Sequence, residues 1–548
     1  MQLHRWLLPG LVVGILLARL SWASAGAAGD NGAGRAWGNW AFWGDEGTTG
    51  HYRNPVLPAD YSDVDCIRVG SYYYAISSTF QYSPGMIVLR SSDLVNWSIL
   101  GHAVPDLTRI SPELNWDRMA RYGRGIWAGA IRFHSGSYWI YFGTPDEGYF
   151  MTQARNPAGP WEPLHCVLPE PGWDDCCPFW DDDGQGYLVG THFKDGYKTW
   201  LFKLTPDGRE LVKDWRVLLN EGSGREANKL YKIGGLYYHL YSEWKHGVGR
   251  YLMMQRATNV AGPYLERRQL SPAQTDAHEP NQGGLVRTET GEWCFLTHHG
   301  TGDWEGRCLS LLPVTWRERW PIVGEVAPNG MGTMVWRARK PVPGGTLEAP
   351  QSDEEFSGKQ LGAQWEWNYQ PRPEMWSLSE RPGFLRLRAF KPLRRNELKA
   401  AGNTLTQRCF RASTNTVTEV LDLKGMAEGQ VAGLCHYSKD VAAIGVRCRG
   451  GSLGLVFVRD QSVAEGPVLP ITRVWLRSSW GLDGNSRFSY STNGAAFVGF
   501  GEPYQLGWGD YRGDRIGVFT FNNESDDGYV DCDSFNYCYD SPVGRSAH

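Results

Sequence analysis

The stretch Glu226-Ala-Asn-Lys-Leu-Tyr-Lys-Ile-Gly-Gly235-Leu-Tyr-Tyr-His239 reads as a strand, a tight glycine turn and a second, aromatic-rich strand. Outward from it, the same grammar recurs along the chain. A glycine followed by an aromatic strand stands at Gly70-Ser-Tyr-Tyr-Tyr, Gly136-Ser-Tyr-Trp-Ile, Gly184-Gln-Gly-Tyr-Leu and Gly291-Glu-Trp-Cys-Phe. The five glycines are thus separated by 66, 48, 51 and 56 residues. Each unit continues with a further strand, as in Met86-Ile-Val-Leu-Arg, Tyr149-Phe-Met-Thr-Gln and Tyr251-Leu-Met-Met-Gln. An aromatic residue then closes it, at Trp97, Trp161, Trp215, Tyr264 and Trp316. Five all-strand units of this size predict a five-bladed β-propeller. A β-sandwich would not repeat one grammar five times, and a β-helix has a shorter period.

Composition agrees with an all-β chain: 67 Gly, 26 Trp and 26 Tyr in 548 residues favour strands and tight turns. Abundant indoles suit both large cores and stacking on sugar rings. With 55 basic and 59 acidic residues the net charge is −4, which excludes electrostatic capture of nucleic acid as the main activity. The length exceeds one ordinary core, so two domains are expected. The repeat grammar stops near Met334, and Lys340-Pro-Val-Pro-Gly-Gly-Thr-Leu-Glu-Ala-Pro350 reads as a linker. Beyond it, short alternating strands such as Phe384-Leu-Arg-Leu-Arg and Ile516-Gly-Val-Phe-Thr-Phe predict a β-sandwich.

At the other end, His4 and Arg5 precede an apolar run from Trp6 to Leu17, and Ala23-Ser-Ala25 is a small-residue cleavage site. A secretory signal peptide is expected, and the mature chain should be secreted or periplasmic, with no other stretch able to span a bilayer. The expected boundaries are a signal peptide over 1–28, a propeller over 29–339, a linker over 340–352 and a sandwich over 353–542. Eleven cysteines leave at least one unpaired; their spacing suits no metal, and one or two disulfides are allowed for.

Counting back from each repeat glycine enters the strand that lines a propeller's central funnel. Nine residues before Gly136, Gly184, Gly235 and Gly291 stand Trp127, Asp175, Glu226 and Gln282; seven before Gly70 stands Asp63. Equivalent positions on five blades share one level about the axis, so three carboxylates, an indole and an amide should converge at one end of the funnel. Buried charge is costly, and its threefold recurrence in one slot points to function. A calcium site or a structural acid cluster is the rival reading. Paired carboxylates in an aromatic pocket suit glycosidic bond cleavage, one acid protonated to serve the leaving oxygen and one ionised to activate water.

At these residues the chain resembles glycoside hydrolase family 43. The resemblance rests on Asn54-Pro-Val-Leu-Pro-Ala-Asp-Tyr-Ser-Asp63-Val-Asp65, Trp127-Ala-Gly-Ala-Ile-Arg-Phe, Asp174-Asp175-Cys-Cys-Pro-Phe-Trp-Asp-Asp-Asp-Gly184, Glu226-Ala-Asn-Lys-Leu-Tyr-Lys, Asn281-Gln-Gly-Gly284 and Gly306-Arg307. Asp353-Glu-Glu-Phe-Ser-Gly and Trp376-Ser-Leu-Ser-Glu-Arg-Pro-Gly-Phe-Leu-Arg-Leu resemble the concanavalin-A-like sandwich appended to the family's β-xylosidases. The resemblance implies an inverting hydrolase with Asp63 as general base, Glu226 as general acid and Asp175 as the residue that tunes and orients the acid. Arg307 matches a substrate-contacting arginine, and Trp127 and Gln282 would line the sugar pocket. The chain departs from the family at Ser62, Val64 and Cys176, where proline is usual, which puts the rigidity of those turns in question. Relatives hold a channel cation through a histidine, for which His298 and His299 are candidates, with a structural calcium ion as the implied metal; the chemistry itself needs no cofactor. The expected substrates are xylan or arabinoxylan oligosaccharides cut at terminal xylose or arabinofuranose, with a non-catalytic glycan-binding protein or an endo-acting arabinanase as the alternatives.

Overall fold

All five repeat glycines adopt a left-handed backbone: φ is +63° at Gly70, +78° at Gly136, +82° at Gly184, +77° at Gly235 and +95° at Gly291. Such angles suit glycine because it has no Cβ, and each makes the turn between the first and second strands of one sheet. The computed structural model describes residues 43–540 except 223, 273–279 and 300–302; the expected signal peptide lies outside the described residues.

Five four-stranded antiparallel sheets follow in chain order. Their first strands are Asp65–Val69, Gly129–His134, Trp173–Trp180, Glu226–Ile233 and Pro280–Arg287. These five contact one another in a closed ring, the last touching the first, which is the inner wall of a propeller. Four of the five closing aromatics lie in or just before a fourth strand. Trp316 does not: it sits in the third strand of the last sheet, Leu309–Arg317, opposite Pro321 of Trp320–Val323.

The C-terminal part forms two eight-stranded antiparallel sheets. One of them takes its edge strand from the propeller: Tyr82–Ser83 pairs with Glu366–Asn368. Residues 340–350 carry no strand but are fixed at both ends. Lys340 Nζ reaches the Asp45 and Asp93 carboxylates, and Pro350 O accepts from Tyr539 OH. One hydrophobic cluster runs through both halves, from Trp43, Val56 and Leu309 to Leu405, Phe410 and Tyr539.

Charged groups cross the same boundary. Arg408 meets Glu366 at 3.1 Å and donates to the Asp60 carbonyl, and Arg411 meets Glu305 at 3.0 Å while its backbone N–H donates to Pro58 O. All eleven cysteines are free thiols, so the disulfides that the sequence reading allowed for do not form. Nine of them are buried, scattered through both halves of the chain.

Candidate active site

Irregularities in the inner strands build the funnel. The pairing register slips between Asp174 and Cys177, between Glu226 and Lys229 and between Pro280 and Gly283, so three successive sheets carry a bulge at the same level. A bulge breaks strand alternation and re-aims side chains. Asp175 and Ala227 at two of these bulges accordingly take positive φ values of +46° and +65°, and Asp63, in the bend before the first sheet, takes +58°. Asp63, Trp127, Asp175, Glu226, Gln282 and Arg307, all singled out from sequence, line one pocket of about 230 Å³. Of the six further lining residues, Ala128 and Asp174 stand beside predicted site residues in the family motifs, whereas Phe80, Phe193, Tyr197 and Tyr511 carried no sequence signal for the site.

Asp63 is nearly buried. Ser78 Oγ donates to its Oδ2 at 2.7 Å and Arg307 Nη1 to its Oδ1 at 2.9 Å. Its backbone N–H donates to His298 Nδ1 at 2.7 Å, so that ring nitrogen accepts and carries no proton. The turn lacks the family's prolines, and hydrogen bonds hold it instead. Ser62 Oγ bonds Asp60 Oδ1 and Tyr511 O, while Ser62 O accepts from Ser77 Oγ and Ser78 N–H.

Asp175 Oδ2 accepts the N–H of Ala227, the residue after Glu226, which ties the two carboxylate strands together. Asn228 Nδ2 donates to Asp175 O and to Thr191 Oγ1, and Asn228 Oδ1 meets His239. Burial first, then the charges of Glu226 and Asp63, push the Asp175 carboxyl up to about 7. Asp174 is raised well above the carboxylate range by burial and by Asp175 beside it. Glu226 is the most accessible of the acids, its side chain 27% exposed against 7% for Asp63, and its Oε1 pairs with Arg250 Nη2 at 2.8 Å.

Gln282 is buried with its Nε2 lacking any hydrogen-bond partner, a donor held at the pocket wall. Trp127 is half-buried, its Nε1 bonded to Gly123 O and its ring against Phe193 and Tyr511. Arg307 is committed to Asp63 and lies beneath the sandwich, 5.4 Å from the Tyr511 ring centroid and 6.0 Å from that of Trp508. Tyr511 therefore reaches the pocket from the second domain, on a strap whose next residue, Arg512, is buried and donates to Gln81 Oε1.

The residues around His298 do not make a calcium cage. Its Nδ1 already serves the Asp63 amide, and among the described residues no group of three or more Asp, Glu, His or Cys donors gathers about it. The His299 side chain lies outside the described residues.

A funnel of carboxylates walled by aromatic rings, on a propeller fused to a sandwich, is the framework of a glycosidase. Comparison with known proteins is specific. Residues 52–321 match the model of glycosyl hydrolases family 43, and residues 353–538 match that of the β-xylosidase C-terminal concanavalin A-like domain. A β-xylosidase of Formosa agariphila is 33% identical over 91% of this chain and 92% of its own. A non-reducing end α-L-arabinofuranosidase of Bacteroides ovatus is 31% identical over 62% of this chain and 65% of its own. Among solved structures, a bifunctional GH43-CE protein of Bacteroides eggerthii superposes with a TM-score of 0.78 at 29% identity, over 88% of this chain and 63% of that longer one. The chain belongs to glycosyl hydrolase family 43.

Proposed function

We propose that this glycosidase removes single terminal pentoses, xylose or arabinofuranose, from hemicellulose oligosaccharides with inversion at the anomeric carbon. The observation that carries the reading is the pocket's size. Tyr511 from the sandwich, itself half exposed, walls one side of a cavity on the scale of one sugar residue, where a chain-cutting enzyme needs an extended groove. In this reading a terminal sugar lies against the wall that Trp127 and Tyr511 form together, with Gln282 Nε2 and Arg307 addressing its hydroxyls.

Glu226 is the acid that an aglycone oxygen at the pocket mouth meets first, being the most accessible carboxyl, and it protonates that oxygen as the C1–O bond breaks. Asp63, in the bend that leads into the first sheet and aimed by Ser78 and Arg307, takes a proton from the water whose oxygen bonds to C1. Asp174 and Asp175, held up by burial, keep a proton within the cluster near neutrality. Asp175 also fixes the backbone beside Glu226. Relatives bearing both the xylosidase and the arabinofuranosidase names support a pentose substrate. The apolar run behind His4 and Arg5 supports export, which N-terminal sequencing of the mature protein tests.

Side-by-side turnover of aryl β-xyloside and aryl α-L-arabinofuranoside, with the first-formed anomer followed by NMR, tests the whole reading. Free pentose of inverted configuration is expected. Long oligosaccharides from polymer overturn the exo assignment in favour of an endo-arabinanase, and binding without any turnover makes the chain a glycan-binding protein. A product that retains configuration overturns the assignment of Asp63 as a base.

A further inference from the structure

The strap that brings Tyr511 to the pocket is rooted in Asp514, and only half of that root is satisfied. Asp514 is 1% exposed. Its Oδ2 accepts from Tyr504 OH at 2.9 Å and from Gly507 N–H at 3.0 Å, whereas its Oδ1 has no hydrogen-bond partner. Facing that oxygen, 3.5 Å away, is Nδ1 of the fully buried His436. The imidazole is fixed from its far side by Ser478 Oγ, 2.8 Å from Nε2, and its ring stacks on Tyr504. The third group is the buried thiol of Cys409, with Sγ 3.8 Å from the same Nδ1. The three donor atoms lie within 4.8 Å of one another. They stand at or in three adjacent strands of one sandwich sheet, Thr404–Arg408, Arg515–Asn522 and Gln430–Tyr437.

Hydrogen bonding serves only part of this arrangement. With its Nδ1 proton turned to the carboxylate the ring leaves the buried thiol unpaired, and with Nδ1 accepting from the thiol it leaves Oδ1 an orphan in the core. A cation with a taste for sulfur and nitrogen satisfies all three. Zinc bonds of about 2.3 Å to sulfur and 2.0–2.2 Å to nitrogen and oxygen, set tetrahedrally, put donors roughly 3.3–3.6 Å apart. The observed 3.8 Å and 3.5 Å are within a few tenths of an ångström of that. Ser478 on the far nitrogen, and Tyr504 and Gly507 on the far carboxylate oxygen, are the outer partners that orient metal ligands. Thiolate with imidazole selects zinc over calcium or magnesium, and thiolate plus carboxylate neutralise a dication.

The geometry points to a structural zinc(II) site formed by Cys409, His436 and Asp514, with the fourth position left to a water molecule, bracing the strap that walls the sugar pocket. The ligands are separated by 27 and 78 residues, so no motif announces them. Because all three are buried, the ion enters as the sandwich folds, and the thiol proton leaves at that step.

The test is the metal content of the full chain, produced with zinc in the medium and dialysed, measured by plasma mass spectrometry. About one zinc per chain is expected, falling to less than about a tenth in C409S and D514N. Should those variants fail to fold, the wild-type chain is unfolded, stripped and refolded with cobalt(II), which should give a thiolate-to-cobalt charge-transfer band. Folded wild-type protein without stoichiometric zinc and without that band overturns the site, as does zinc retained undiminished in folded C409S. These readouts do not involve sugar turnover, so they stand or fall separately from the pentosidase reading.

Discussion

In the proposed mechanism Asp175 combines an electrostatic and a positional role, and two substitutions separate them. Asn at this position still accepts the Ala227 amide but removes the charge; Ala removes both. Asn at this position removes the carboxyl that helps the cluster keep its proton up to about 7, so Asp175→Asn should shift the alkaline limb of kcat/KM to lower pH, whereas Asp175→Ala should abolish turnover at every pH. An unmoved limb in a slow Asn variant makes the role purely positional. Stability moves the opposite way. The Asp175 carboxyl is raised to about 7, so its contribution to folding is complete below the ordinary aspartate range and is lost as pH rises through 7. Asp175→Asn should therefore raise Tm by about 2–5 °C at pH 8 and by little at pH 4, read by calorimetry at both. For Glu226→Gln, turnover of aglycones that are poor leaving groups should fall by roughly 10²–10⁴, and far less with acidic phenols; equal losses would remove Glu226 as the acid. Counting from the repeat glycines located both residues because nine residues separate the pocket position from the turn glycine in each of the last four sheets. Asp174 escaped the count: regular alternation sends adjacent side chains to opposite faces, and only the bulge brings both aspartates to the pocket.

At the scale of elements, the site depends on two glycines where propeller and sandwich backbones meet. A Cβ at Gly513 would lie 2.5 Å from the Glu305 carbonyl carbon and 2.6 Å from Gly306 N, and one at Gly306, where φ is +77°, would lie 2.5 Å from Gly513 N. Neither obstacle is a side chain that can swing away. Gly513→Ala should therefore lift the strap, costing about 1–3 kcal/mol by denaturant unfolding and at least ten-fold in kcat/KM. Gly184→Ala is the contrast. It meets nothing within 4 Å but keeps a φ of +82°, so it should cost about 1 kcal/mol and leave kcat/KM as it is. The sequence disclosed the blades because each is a local repeat whose turns and aromatic strands are adjacent in the chain. It disclosed neither the strap nor the edge strand Tyr82–Ser83. Both are short irregular segments whose partners come from the other domain, and no periodicity marks them.

In the whole molecule, the sandwich completes the active site. Asp63 and Arg307 lie on segments that the second domain grips by buried charge. Arg408 holds the Asp60 carbonyl, Arg411 meets Glu305 two residues before Arg307, and Ser62 bonds the strap. Burial raises the Glu305 carboxyl, and Arg411 is the largest influence opposing that rise. Arg411→Met leaves an acid in the core without its cation, a loss of the kind that costs about 3–5 kcal/mol. The sign of its pH dependence follows. With Arg411 gone the folded-state value rises further, so the protonated acid supports folding at low pH and the deficit opens as pH increases. The variant should be closest to wild type near pH 5 and weakest at pH 8, in both Tm and turnover of the aryl glycoside. Adding Glu305→Gln should restore most of the stability by removing the stranded charge, without restoring the ion pair. If the double variant regains stability and activity together, Arg411 serves only to neutralise Glu305. If stability returns while kcat/KM stays low, the guanidinium also sets the position of the Gly306–Arg307 turn, and hence of the arginine that holds Asp63 in place.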